Sequence, residues 1–135
     1  MWRNILGVLA GILVWIALVI PGGLLLRAEW PAYAAAEPSM TFDLSMKIAR
    51  LALSSVGLVV AGVVVYRVAR PSRYAALAFG TIMLLLFIPV HVQLWPKFPI
   101  WYHLYFLSSL VLIPQLTALL AERASGAPAS PATAQ

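Results

Sequence analysis

Four stretches of this chain carry almost no charge, and each is long enough to be considered as a membrane crossing. The first, 4–26, is uncharged for about 23 residues, or about 34 Å of helix, against a hydrocarbon core about 30 Å thick. The second, 48–66, contains Arg50, so its fully uncharged part, 51–66, is only about 16 residues long. The third and fourth, 74–95 and 100–121, are uncharged for about 22 residues each. With 63% of residues hydrophobic and 10% charged, and a mean hydropathy of +0.95, polar side chains are too few to cover a water-soluble globule. The expected fold is all-α: an integral membrane bundle of four transmembrane helices occupying 1–121, with no folded extramembrane domain.

The connections fit this division. Residues 28–43 hold Glu29, Trp30, Pro31, Glu37, Pro38 and Asp43, a polar, proline-interrupted first loop with room for an alanine-rich helical turn. Arg67, Arg70 and Arg73 surround Pro71 in a short turn, and Pro96 and Pro99 break the chain between the last two spans. The last stretch, 122–135, is small, polar and proline-interrupted, and is predicted to be a disordered cytoplasmic tail. A cleaved signal peptide is the competing reading of the first run. That run is longer than a signal's apolar core, and Arg27 and Glu29 separate it from the small residues a cleavage site needs. With the N-terminus inside, Arg3, Arg67, Arg70, Arg73 and Arg123 lie inside, while Arg27, Lys47, Arg50 and Lys97 lie outside. The compact arginine turn favours this N-in, C-in orientation, with both termini cytoplasmic.

Several functions drop out on composition. Without cysteine there are no disulfides, thiolate metal sites, iron–sulfur clusters or dithiol redox chemistry. The net charge of +5 is dispersed between apolar segments and forms no basic run, so the expected partner is the lipid bilayer and not nucleic acid. No Asp or Glu lies inside a span, which removes proton-coupled export of the small multidrug type. Small residues one turn apart, Gly7 and Gly11, Gly57 and Ala61, Ala76 and Gly80, mark faces for close helix packing, within the bundle or in a homodimer. Pro21, Pro89 and Pro114 each weaken helical hydrogen bonding and are expected to kink their spans.

The polar and aromatic residues gather at the outer end of this topology. His91 comes about four residues before the last turn and His103 about four after its second proline, so the two imidazoles can lie at one depth on adjacent helices. With Arg50, Glu37, Gln93 and Tyr102 they form the candidate ligand-binding set. Arg50, a turn inside the boundary, needs a carboxylate from Glu29, Glu37 or Asp43, or must snorkel. Two histidines and a loop carboxylate have the ligand types of a zinc or non-haem iron site, and two histidines alone those of a haem. The plainer reading makes these residues interfacial anchors, since histidine, tyrosine and tryptophan all favour the water–lipid boundary. It carries more weight because no His-x3-His or similar spacing is present, and it leaves the bundle with no cofactor.

The strings Trp30-Pro31-x-Tyr33-Ala34-x-Ala36-Glu37-Pro38, Pro89-Val90-His91-x-Gln93-Leu94-Trp95 and Phe98-Pro99-x-Trp101-Tyr102-His103-Leu104 resemble those of small uncharacterised bacterial four-span proteins. The resemblance covers most of the chain before the tail, and implies a bacterial inner-membrane location but no activity. The reading is therefore a non-enzymatic structural or accessory membrane protein, single, homodimeric or part of a larger complex. The alternative is a membrane protein that binds a small molecule, a lipid or quinone, or a metal or haem at the outer His/Arg/carboxylate cluster.

Overall fold

The computed structural model describes residues 1–69 and 72–126, and the described residues contain helices and no strands. Four long helices, α1 (Trp2–Glu29), α3 (Leu44–Ala69), α4 (Arg73–Leu94) and α5 (Ile100–Ala124), are joined by loops, with a short α2 (Pro31–Ala36) after α1. All four long helices are apolar enough to cross a membrane. The shortest, α4 with 22 residues, reaches about 33 Å, so none falls short of the hydrocarbon core. They match the four expected spans, each running somewhat further at one end or both. α5 continues through Ala124, and Glu122 on its last turn bonds Arg73, so the first residues of the expected tail are helical. Residues 127–135, and Arg70 and Pro71 of the arginine turn, lie outside the described residues.

Contacts fix an up-down-up-down bundle. Gly7 near the start of α1 meets Ala69 at the end of α3, and Arg73 at the start of α4 pairs with Glu122 at the end of α5, so both pairs are antiparallel. Gly11 faces Phe79, and Arg50 meets Tyr102, so α1 runs parallel to α4 and α3 parallel to α5. The N-terminus and the end of α5 therefore share one end of the bundle.

The small residues act inside this chain. A Cβ on Gly80 would stand 2.7 Å from the Leu110 carbonyl oxygen and 2.9 Å from Val111 Cα, so only glycine lets α4 and α5 meet there. A Cβ on Gly62 would stand 3.1 Å from Pro114 Cα, and Gly7 and Gly11 seat α1 against Val65 and Ala69 of α3. Ala61 and Ala76 are fully buried. Apolar surface gains little by leaving lipid for protein, and close backbone approach supplies the dispersion contacts that hold such helices together. Outward, α1 shows Leu9, Leu13, Ile20, Leu24 and Leu25, an apolar surface suited to lipid and unsuited to water. The helices run unbroken through Pro21, Pro89 and Pro114.

The first loop ends as its polar residues dictate. Asp43 precedes α3, and its Oδ1 accepts from Met46 N at 2.8 Å and Ser45 Oγ at 2.7 Å, an N-cap that holds its carboxyl below the ordinary value. Asp43 is thus committed to the helix start and is no partner for Arg50. Before it, Thr41 N donates to Ala36 O and Met40 N to Glu37 O, with Met40 left-handed at φ 56°. This closes the α2 turn in the manner of a Schellman motif, with methionine at the position that favours glycine. The turn carries Tyr33 and Glu37 back over the bundle.

Candidate functional site

At the end away from the termini, α1, α3, α4 and α5 separate around a cavity of about 310 Å³, with α2 over it. The separation follows side-chain size. Trp15 and Phe87, ring centroids 5.4 Å apart at 74°, stand between α1 and α4 where Gly11 and Phe79 met lower down, and Phe106 packs on Phe87 at 5.2 Å. Val19, Leu53 and Leu94 add apolar wall. Ile20, Leu24 and Val90 line the cavity and are also exposed on the bundle's flank, so it opens sideways between α1 and α4, towards lipid.

The other side of the cavity is polar. Arg50 donates from Nη1 to Tyr33 Oη at 2.7 Å and from Nε to Tyr102 Oη at 3.5 Å, and its guanidinium lies 4.8 Å from the centre of the Phe42 ring. Both hydroxyls accept from Arg50, so each keeps its own proton free to donate. Glu37 Oε1 is 3.9 Å from Arg50, beyond hydrogen-bond reach, because both Glu37 oxygens already accept from Arg27, one of them from Nη2 at 2.8 Å. The hydrogen bond from Arg27 holds the Glu37 carboxyl below its ordinary range, against the opposing effect of partial burial. Glu29 is exposed and has no ion pair among the described residues.

At the cavity floor two more donors are unused. Trp15 Nε1 and Ser54 Oγ, both on residues lining the cavity, are buried without a hydrogen-bond partner among the described residues. Burying a polar group unpaired costs about 1–3 kcal/mol, so each favours an acceptor arriving beside it.

The two histidines do face one another. Their Nδ1 atoms are 2.7 Å apart with the rings edge-on, 81° between planes, and both side chains are buried. A contact this short requires one Nδ1–H to donate to the other, bare, Nδ1. His103 Nε2 is buried with no partner among the described residues, and a buried unpaired acceptor is tolerated better than an unpaired N–H. Aromatic faces fix both rings: Trp95 stacks on His103 at 4.7 Å, Phe106 lies 4.6 Å from His91, and Phe98 stacks on Tyr102 at 4.5 Å.

Of the residues singled out from sequence, His91, Arg50, Glu37 and Tyr102 line the one cavity. His103 stands behind His91 as its hydrogen-bond partner, and Gln93 is exposed and not part of the lining. The pattern missed Trp15, Ser54 and Arg27. A tryptophan mid-span, far from either interface, is the signal that marks Trp15, since its N–H needs a partner there. The histidines spend Nδ1 on each other, and among the described residues no three of His, Asp or Glu converge on a point where an ion would sit. No protein-family profile, curated protein or solved structure matches the chain.

Proposed function

We propose that this protein is a non-enzymatic binding protein of the bacterial inner membrane, which takes an amphiphile from the bilayer. The polar head enters between Arg50, Tyr33, Tyr102 and His91, and the apolar tail leaves between α1 and α4 past Ile20, Leu24 and Val90. One observation carries this reading: a single cavity joins hydrogen-bonding groups at its depth to a side opening whose rim is apolar and exposed. Its volume of about 310 Å³ suits a head group with the start of a tail. Among the described residues Ser54 Oγ has no base bonded to it, so it is not an activated nucleophile.

Both termini are cytoplasmic in this proposal, with the cavity in the outer half of the membrane. Arg3, Arg67, Arg73 and Arg123 share the terminal end, and the arginine turn is the short, strongly basic connection that orientation follows. A C-terminal fusion to a reporter active only in the periplasm is expected to stay silent.

The binding reading is tested by native mass spectrometry of the full chain extracted in mild detergent. A bound amphiphile is expected on the wild type and not on Gly23→Phe. Gly23 lines the cavity, and nothing lies within 4 Å of the Cβ it lacks, so phenylalanine fills the space without displacing a helix. An unliganded wild type that stays unliganded when amphiphiles are added overturns the proposal.

A further inference from the structure

The cavity's charge is unbalanced in a way that selects among amphiphiles. Arg27 and Arg50 bring two guanidiniums to its lining and Glu37 the one carboxylate. Glu37 gives both oxygens to Arg27 and remains 3.9 Å from Arg50. The hydrogen bonds that Arg50 makes go to two tyrosines, so the partly buried cation has only a long ion pair, 3.9 Å to Glu37, a carboxylate it shares with Arg27. A charge held away from bulk water is costly until an opposite charge meets it, and most of all beside lipid.

The hydrogen-bonding groups have the same bias. Arg50 uses two of its five N–H groups on the tyrosines, the Tyr33 and Tyr102 protons are free, and the buried Ser54 hydroxyl and Trp15 N–H are unpartnered. All of these can donate, whereas the carboxylate, the strongest acceptor in the lining, is already taken. A cationic head meets only a carboxylate already held by Arg27, and an uncharged polyol leaves Arg50 with no more than its shared 3.9 Å contact to Glu37.

We propose that the head bound here is an oxyanion, a carboxylate or a phosphate carried on an apolar tail, with Arg50 as its counter-ion and Glu37 as its built-in competitor. This rests on the amphiphile reading above and narrows it. Glu37, held by Arg27 within 4 Å of Arg50, already offers weak Coulomb compensation to that cation. A ligand oxyanion in hydrogen-bond contact replaces this with a fork, two short charge-assisted bonds to one guanidinium.

The test measures the affinity of four probes for the delipidated full chain in a non-ionic detergent: oleate, oleoyl lysophosphatidic acid, the neutral mono-oleoylglycerol and inorganic phosphate. Either anionic oleoyl probe is expected to bind about tenfold or more tightly than the neutral one, the size of a charge-assisted bond. Arg50→Gln removes that preference and Arg50→Lys keeps a part of it. Glu37→Gln increases anion affinity about threefold or more, by removing a repelling charge about 4 Å from the site. A variant that misfolds cannot give that increase. Equal binding of neutral and anionic probes, unchanged in Arg50→Gln, overturns the oxyanion inference and leaves the amphiphile reading standing. Inorganic phosphate binding as tightly as the lysolipid does the converse, keeping the anion and removing the tail. No binding of any probe to the wild type or to Glu37→Gln overturns both.

Discussion

The two ends of this bundle are made from the same four helices and reach opposite results. At the terminal end Gly7, Gly11, Ala61, Ala69, Ala76 and Gly80 bring the helix backbones into close contact. At the other end Trp15, Phe87 and Phe106 hold the helices apart, and polar groups line the gap. In a bilayer the size of the interfacial residue, more than its hydrophobicity, decides whether two helices close, because lipid competes equally well for any apolar surface. The closed end acts as a clamp, which allows the open end to keep a cavity.

The largest effect is expected where the clamp is tightest. Gly80→Leu drives a side chain into the α5 backbone at Leu110 and Val111, and about 3 kcal/mol of stability is expected to be lost, read from unfolding of the protein in a denaturing detergent. An unfolding curve that coincides with the wild type would show that α4 and α5 do not close there.

The histidine pair is next. His91→Ala or His103→Ala leaves the other imidazole buried with an unmet Nδ1, at a cost of about 1–3 kcal/mol each. The double substitution should cost less than the sum of the singles, by about 0.5 kcal/mol or more, in a double-mutant cycle. Strict additivity means that the rings do not share a proton.

Glycine at the open end should behave in the reverse sense from glycine at the clamp. Gly23→Ala puts a methyl where nothing lies within 4 Å and removes a flexible residue from mid-helix, so a gain of about 0.5–1 kcal/mol is expected by the same unfolding measurement. A loss there would mean that this part of α1 packs as tightly as the clamp.

The smallest effect concerns the α2 turn. Glu37→Gln cuts its ion pair with Arg27, and hydrogen exchange of the α2 amides should quicken about two- to fivefold, as fits a partly exposed pair. Acid should do the same to the wild type. The native Glu37 carboxyl is held below its ordinary value of 4.5, so its contribution is complete above that pH and is lost as the pH falls through the lower native value. Exchange that stays unchanged across that range would show that Tyr33 and its aromatic neighbours alone hold α2 down.

Much of this site was legible in one dimension. Prolines at 96 and 99 fix the turn that sets His91 and His103 at one depth, so their meeting follows from helix geometry. Arg50 announced a need for partners but not which ones. The local pattern offered three carboxylates, and of these Asp43 was taken by the α3 N-terminus while Glu37 bonds Arg27 and pairs with Arg50 only at 3.9 Å, choices that depend on where α2 folds back. Gln93 looked equivalent to His91 two residues earlier, and a helix turns about 200° over that distance, which carries it out of the cavity.

Sequence alone determined four apolar helices, their boundaries to within a few residues and the small-residue positions at which they touch, because length, charge and the bilayer's thickness leave few other solutions. Only the tertiary structure decided that those small faces are spent inside the bundle, and that Trp15 and Phe87 wedge the other end open over Arg50. Which residue stands opposite which, and therefore where the space is left, is set by helix rotation and neighbour choice. Both emerge only when all four helices pack at once.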